Sequence, residues 1–167
     1  MKLLIVDDEK ITREGLLSSL DLKAIGITQV LQADDGIHGL KLALLNKPEI
    51  VLTDVRMPRM DGIQMAEQIA EQLSGCSIIF MSGYSDKEYL KAAIKLKAIN
   101  YVEKPIDLKE VTDALIEAVT LKLAQTQSRH TAASSYFSSL VAKLQHPLSR
   151  QEWLYLSKTG DFPLPMG

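Results

Sequence analysis

The chain has 167 residues, 46% hydrophobic and 24% charged, with a net charge of −2, which argues against a disordered or repetitive protein. No apolar run approaches the roughly 20 residues that span a bilayer, and the first is too short and too acidic at its end to be a signal peptide, so a cytoplasmic location is expected. Residues 1–125 hold 15 basic and 19 acidic side chains and residues 126–167 hold 4 and 2, so neither part has the basic patch of a direct nucleic-acid binder.

Short apolar runs alternate with segments of helical period. A first strand is expected over about 2–7, and a helix over about 10–21 with Ile11, Leu16, Leu17 and Leu20 on its core side. A less regular strand covers about 28–33. The next helix carries Ile37, Leu40 and Leu44 and stops before Pro48. The third strand spans about 49–53. A loop with Pro58 and Asp61-Gly62 leads to a helix whose face holds Ala66, Ile69 and Leu73. The fourth strand spans about 77–81. Cys76, the one cysteine, abuts it and reads as a buried strand residue; alone, it allows no intrachain disulfide, which fits a reducing compartment. A lysine-rich helix over about 86–97 and a strand over about 98–102 follow. Asp107 then caps a fifth helix bearing Leu108, Val111, Leu115 and Val119.

Strict strand–helix alternation predicts an α/β fold, a five-stranded parallel sheet with helices on both faces, closing near residue 125. Runs rich in Ile, Val and Leu without alternation fit strands buried on both sides. Residues 126–167 read as a separate linker and short helical tail. The stretch 125–131 is either a polar linker or the frayed end of the fifth helix. Tyr136, Phe137, Leu140, Val141 and Leu144 predict an amphipathic helix, broken by Pro147. Ser149 to Glu152 predicts a capping box opening a second helix with Trp153, Leu154 and Leu156. Some 40 residues do not bury a core alone, so these side chains are expected to meet a partner, the main domain or a further part of the protein.

In such a sheet the C-terminal strand ends lie along one edge, where ligands bind. Asp7 and Asp8, Asp54, Ser82 and Lys104 all stand at strand ends. Two carboxylates about 4 Å apart repel by roughly 1–4 kcal/mol, and a third adds to this, so the cluster either takes up a proton or binds a cation. A hard, oxygen-liganded Mg²⁺ suits few carboxylates and a phosphate ligand. Each acid taken singly also reads as a solvated turn residue.

Val6-Asp7-Asp8-Glu9, Thr53-Asp54 through Asp61-Gly62, Met81-Ser82-Gly83-Tyr84 and Glu103-Lys104-Pro105 resemble the receiver domain of two-component response regulators, a flavodoxin-like fold, over about residues 1–125. The resemblance implies that Asp54 is the phosphoacceptor, served by a sensor histidine kinase. It implies that Asp8 ligates Mg²⁺ directly, Asp7 through water, and Arg56 through its backbone carbonyl. Lys104 would pair with the phosphoryl group across a cis bond to Pro105. Ser82 and Tyr101 would form the switch, and Arg56 and Tyr84 would flank the path of hydrolytic water, implying slow self-dephosphorylation. Output would appear on the face built by the fourth helix, the fifth strand and the fifth helix. There Lys91, Lys95 and Lys97 with Asp107, Glu110 and Asp113 would cross-link a homodimer; singly, each also reads as a solvated charge.

The segment from Tyr136 to Gly167 is similar to the stretch after the receiver in regulators ending in an AraC-type DNA-binding domain. An N-terminal piece of such a transcription regulator is therefore expected, with DNA reached only through a downstream domain; a stand-alone receiver that docks on other proteins is the alternative. Neither is an enzyme beyond its own phosphorylation and dephosphorylation. A phosphohydrolase would want an acid two residues after the nucleophile, where Arg56 stands. A flavodoxin-like binder would want a phosphate-cradling loop after the first strand, where Asp7-Asp8-Glu9 would repel phosphate.

Overall fold

The computed structural model describes residues 1–83 and 100–144. The elements run β1 (Lys2–Val6), α1 (Lys10–Ser19), β2 (Gln29–Ala33), α2 (Gly36–Asn46), β3 (Ile50–Asp54), α3 (Gly62–Gln72), β4 (Ser77–Ser82), β5 (Asn100–Glu103) and a long helix (Leu108–Leu144). The five strands form one parallel sheet in the order β2-β1-β3-β4-β5. The expected helix over 86–97, with Lys91, Lys95 and Lys97, lies outside the described residues, as do Tyr84, Pro147 and the helix around Trp153.

Alternate residues of the buried strands feed two cores. Leu3, Ile5, Leu52, Ile79 and Val102 pack on the side of Leu16, Val111 and Leu115. Leu4, Val6, Val51, Ile78 and Phe80 pack on the side of Ala43, Met65, Ala66 and Ile69. Full burial of such side chains contributes about 1.5–3 kcal/mol each, and it fixes strand register, since a slip of one residue would exchange the two cores.

Two helix faces differ from their sequence reading. Ile11 is 86% exposed, and Leu16 is the one buried residue of α1. At 100° per residue Ile11 falls opposite the stripe of Leu16 and Leu20, whose place in the first turn is taken by Thr12 and Arg13. Ile37 is likewise 51% exposed. In α2 the buried positions are Gly36, Gly39 and Ala43. The helix needs small residues here because it approaches α3 and β1 so closely: a Cβ on Gly39 would lie 2.6 Å from Met65 Sδ and 3.0 Å from Val6.

Cys76 is half-buried and precedes β4 instead of lying in it. Burial pushes its thiol up to about 11, so it is protonated at neutral pH.

The chain divides into two units, Met1–Leu123 and Ala124–Gly167. Of the two readings of 125–131, the polar linker is overturned: the fifth helix continues through the stretch. Hydroxyls there are satisfied inside the helix: Ser128 Oγ donates to the Ala124 carbonyl at 3.0 Å and Thr131 Oγ1 to that of Gln127 at 3.0 Å. Back-bonding of this kind is how Ser and Thr hydroxyls are accommodated inside a helix, at a small cost in stability. Among the described residues no helix is long and apolar enough to cross a membrane.

Candidate functional site

β1 and β3 are neighbours in register, with Val6 opposite Thr53. Asp7 directly follows β1 and Asp54 closes β3, so the strand pairing itself delivers both carboxylates to one place. Asp8, exposed, joins them from the loop before α1. One carboxylate oxygen from each of Asp7, Asp8 and Asp54 lies within 4.8 Å of the others. Lys104 follows β5 and reaches the same point: its Nζ donates to Asp54 Oδ2 at 2.9 Å and to Asp7 Oδ2 at 3.3 Å. The Lys104–Pro105 peptide is cis.

Asp7 is fully buried and Asp54 is 7% exposed. Burial holds the Asp7 carboxyl above its ordinary pKa. The Glu9 N–H, which donates to Oδ1 at 2.8 Å, and the Lys104 charge pull against that shift, while the Asp54 charge adds to it. For Lys104, burial disfavours the ammonium, but the hydrogen bond and charge of Asp54 and the charge of Asp7 outweigh it and raise the pKa. Lys104 is therefore a fixed cation at neutral pH.

Oxygens bound to one Mg²⁺ at 2.0–2.1 Å stand at most about 4.2 Å apart across the ion. A trio within 4.8 Å thus matches a single dication after a small contraction, or with one carboxylate bound through water. The donor set, all hard oxygen, fits Mg²⁺ and not a thiophilic metal.

The other expected residues are placed as follows. Ser82 ends β4, fully buried, opposite Glu103 of β5; its hydroxyl donates to the Gly83 carbonyl at 3.4 Å, and its own carbonyl accepts from Lys104 N at 2.7 Å. Tyr101 pairs with Phe80 and is half-buried against the core that contains Ala66 and Ile69. Arg56 is exposed in the loop after β3. Asp107 caps the long helix, its Oδ1 accepting from Lys109 N at 2.8 Å.

Several supporting residues escape a reading of motifs. Arg13 Nη1 donates to the Asp7 carbonyl at 2.6 Å and so ties α1 to the end of β1. Gly62 has no room for a side chain: a Cβ would fall 2.0 Å from the Asp54 carbonyl oxygen. Asp61 and Gln64 form a full capping box on α3, and its three-residue spacing is a signal visible in sequence. Asp35 pairs with Arg59, and no spacing rule links the two.

Residues 3–116 match the family model of the response regulator receiver domain, and the chain belongs to that family. It is 37% identical over 136 residues to the transcriptional regulatory protein HptR of Staphylococcus aureus strain N315, covering 81% of this chain and 53% of that protein. It is 39% identical over 119 residues to a response regulatory protein of Staphylococcus epidermidis, covering 70% and 47%. The chain thus spans about half the length of these relatives. The crystal structure of a two-component transcriptional regulator AraC from Clostridium phytofermentans superposes with a TM-score of 0.71 at 55% identity, covering 75% of this chain and 98% of that one. The receiver domain of AraT, a response regulator from Geobacillus stearothermophilus, gives 0.70 at 35% identity, covering 75% and 97%.

Proposed function

We propose that the receiver accepts a phosphoryl group on Asp54 from a sensor histidine kinase and relays the change to a transcriptional output. The observation that carries this is the Asp54 carboxylate, held 2.9 Å from Lys104 Nζ and clustered with Asp7 and Asp8. An Asp54 oxygen forms a bond to phosphorus as the bond from phosphorus to the donor imidazole breaks, and the departing imidazole takes a proton. Bound Mg²⁺, held by Asp8, Asp54 and the Arg56 carbonyl, with Asp7 acting through water, would offset negative charge on the carboxylates and the phosphoryl oxygens. Lys104 supplies a cation that needs no recruitment. Ser82, at the end of β4, and Tyr101, two residues back along the paired β5, then respond together, altering the face that includes β5 and the start of the long helix, through which a homodimer would form. The protein turns over no small molecule beyond its own acyl phosphate, and it acts in the cytoplasm.

A transcriptional output is favoured over a stand-alone docking role by the names of the relatives, among them the transcriptional regulatory protein HptR, of which this chain covers 53%, and a two-component transcriptional regulator AraC. DNA contact belongs to a downstream domain of such a protein.

The test is labelling with ³²P-acetyl phosphate. Wild type is expected to incorporate label only with Mg²⁺, and Asp54→Asn none; equal labelling of the two rules out Asp54. The label should persist for minutes or longer, as the receiver resemblance implies for residues as large as arginine and tyrosine at positions 56 and 84, and a lifetime of seconds would contradict that role.

A further inference from the structure

Arg59 lies in the loop between β3 and α3 with φ of 70°, the left-handed region that disfavours any residue with a side chain and suits glycine. Its guanidinium pairs with the Asp35 carboxylate at the start of α2. The two ends of this pair differ sharply: the Arg59 side chain is 62% exposed and that of Asp35 only 3%. Asp35 is also the N-cap of α2, its Oδ1 accepting from His38 N at 2.8 Å. The same loop touches α2 a second time, since a Cβ on Gly36 would fall 2.4 Å from the Met60 carbonyl oxygen. At the loop's far end Gly62 N donates to the Val55 carbonyl at 2.9 Å, and its Cα lies under the Asp54 carbonyl. The backbone between, which includes Arg56, is therefore pinned at both ends. The buried carboxylate of Asp35 needs a cation, and Arg59, at its left-handed turn, supplies one from this loop.

We propose that the Arg59–Asp35 pair is a latch that positions the loop after Asp54 for divalent-cation binding, so that both act as positioning residues although neither touches the metal. The latch rests on the Mg²⁺ reading given above. From a glycine-favouring turn the Arg59 charge reaches across to α2 and holds the loop in the conformation a bound ion requires. Without the pair the loop samples other conformations, and the ion must select one of them before it binds.

Calorimetric titration of the whole chain with MgCl₂ tests this, comparing wild type, Arg59→Gly, Asp35→Asn and the double variant. Glycine accepts the left-handed turn without strain, and asparagine keeps the helix cap, so both variants should fold. Each single variant should bind Mg²⁺ about tenfold more weakly, the scale for groups that hold a ligand from behind. The double variant should be no weaker than the worse single, as for two halves of one interaction. In metal-free protein the Met60 and Gly62 amides should exchange faster in each variant. Mg²⁺ affinity within twofold of wild type in both single variants would overturn the latch, as would losses that multiply in the double. A lower melting point with unchanged Mg²⁺ affinity would mark the pair as purely structural and also overturn it. A wild-type chain that takes up no Mg²⁺ would remove the metal reading and the latch together, and that outcome shows in the unaltered protein.

Discussion

Lys104 is the residue on which the acidic site depends when no ion is bound. Its Nζ is shared between Asp54 and Asp7, and Asp7 is fully buried. Lys104→Ala leaves that buried acid without a cation. The expected loss in Mg²⁺-free buffer is about 2 kcal/mol, below the 3–5 kcal/mol typical of fully buried pairs because the lysine itself is partly exposed. Added Mg²⁺ should then raise the melting temperature of Lys104→Ala more than that of wild type, as thermal denaturation with and without EDTA will show. An equal Mg²⁺ effect on both proteins would mean that lysine and ion do not serve the same charges. Asp7, Asp8, Asp54 and Lys104 were legible in the sequence because each stands where an apolar run stops. Arg13 and the Arg59–Asp35 pair were not, because their partners lie on other elements and nothing in local spacing joins them.

Among the elements, strand order does the assembling. Parallel pairing of β1 with β3 sets Val6 against Thr53, and the acids that follow are neighbours as a result. The turn into α3 must then pass directly beneath Asp54. Gly62→Ala should therefore cost about 3 kcal/mol, the upper range for forced overpacking, because the new methyl meets backbone and not a movable side chain. Urea denaturation measures this, and a loss under 1 kcal/mol would show that the turn relaxes easily. The same closeness explains where the helix readings went astray. Counting large apolar residues selected Ile37 and Ile11 wrongly, although Leu16, Leu17, Leu20 and Leu40 do pack on the cores, and it passed over the buried Gly36, Gly39 and Ala43 of α2. Strands were read more closely than helix faces, since a strand buried on both sides is continuous in sequence. A helix, by contrast, can bury a stripe made visible only by its partner's shape.

For the molecule as a whole, every group assigned to the site lies within the unit Met1–Leu123. A fragment of residues 1–125 is thus expected to bind Mg²⁺ with an affinity within twofold of the full chain, by calorimetry. A much weaker fragment would mean that residues beyond 125 support the site. The five-stranded parallel sheet and its strand-end cluster were foreseeable from alternation alone, but the sequence left 125–131 open between linker and helix end, because serine and threonine signal a break unless their hydroxyls turn back on the helix.

The sheet is also lopsided. β1 and β3, which carry the acids, are each flanked on both sides, whereas β5 has four residues and a single neighbour, β4. That outermost strand bears Tyr101 and leads into Lys104, and its end is tied to Ser82 by one backbone bond of 2.7 Å. A rib fastened along one side can shift without unzipping the rest, so under the proposed switch a rearrangement at Tyr101 would disturb one ladder, that with β4, and leave the pairing of β1 with β3 beneath the acids intact.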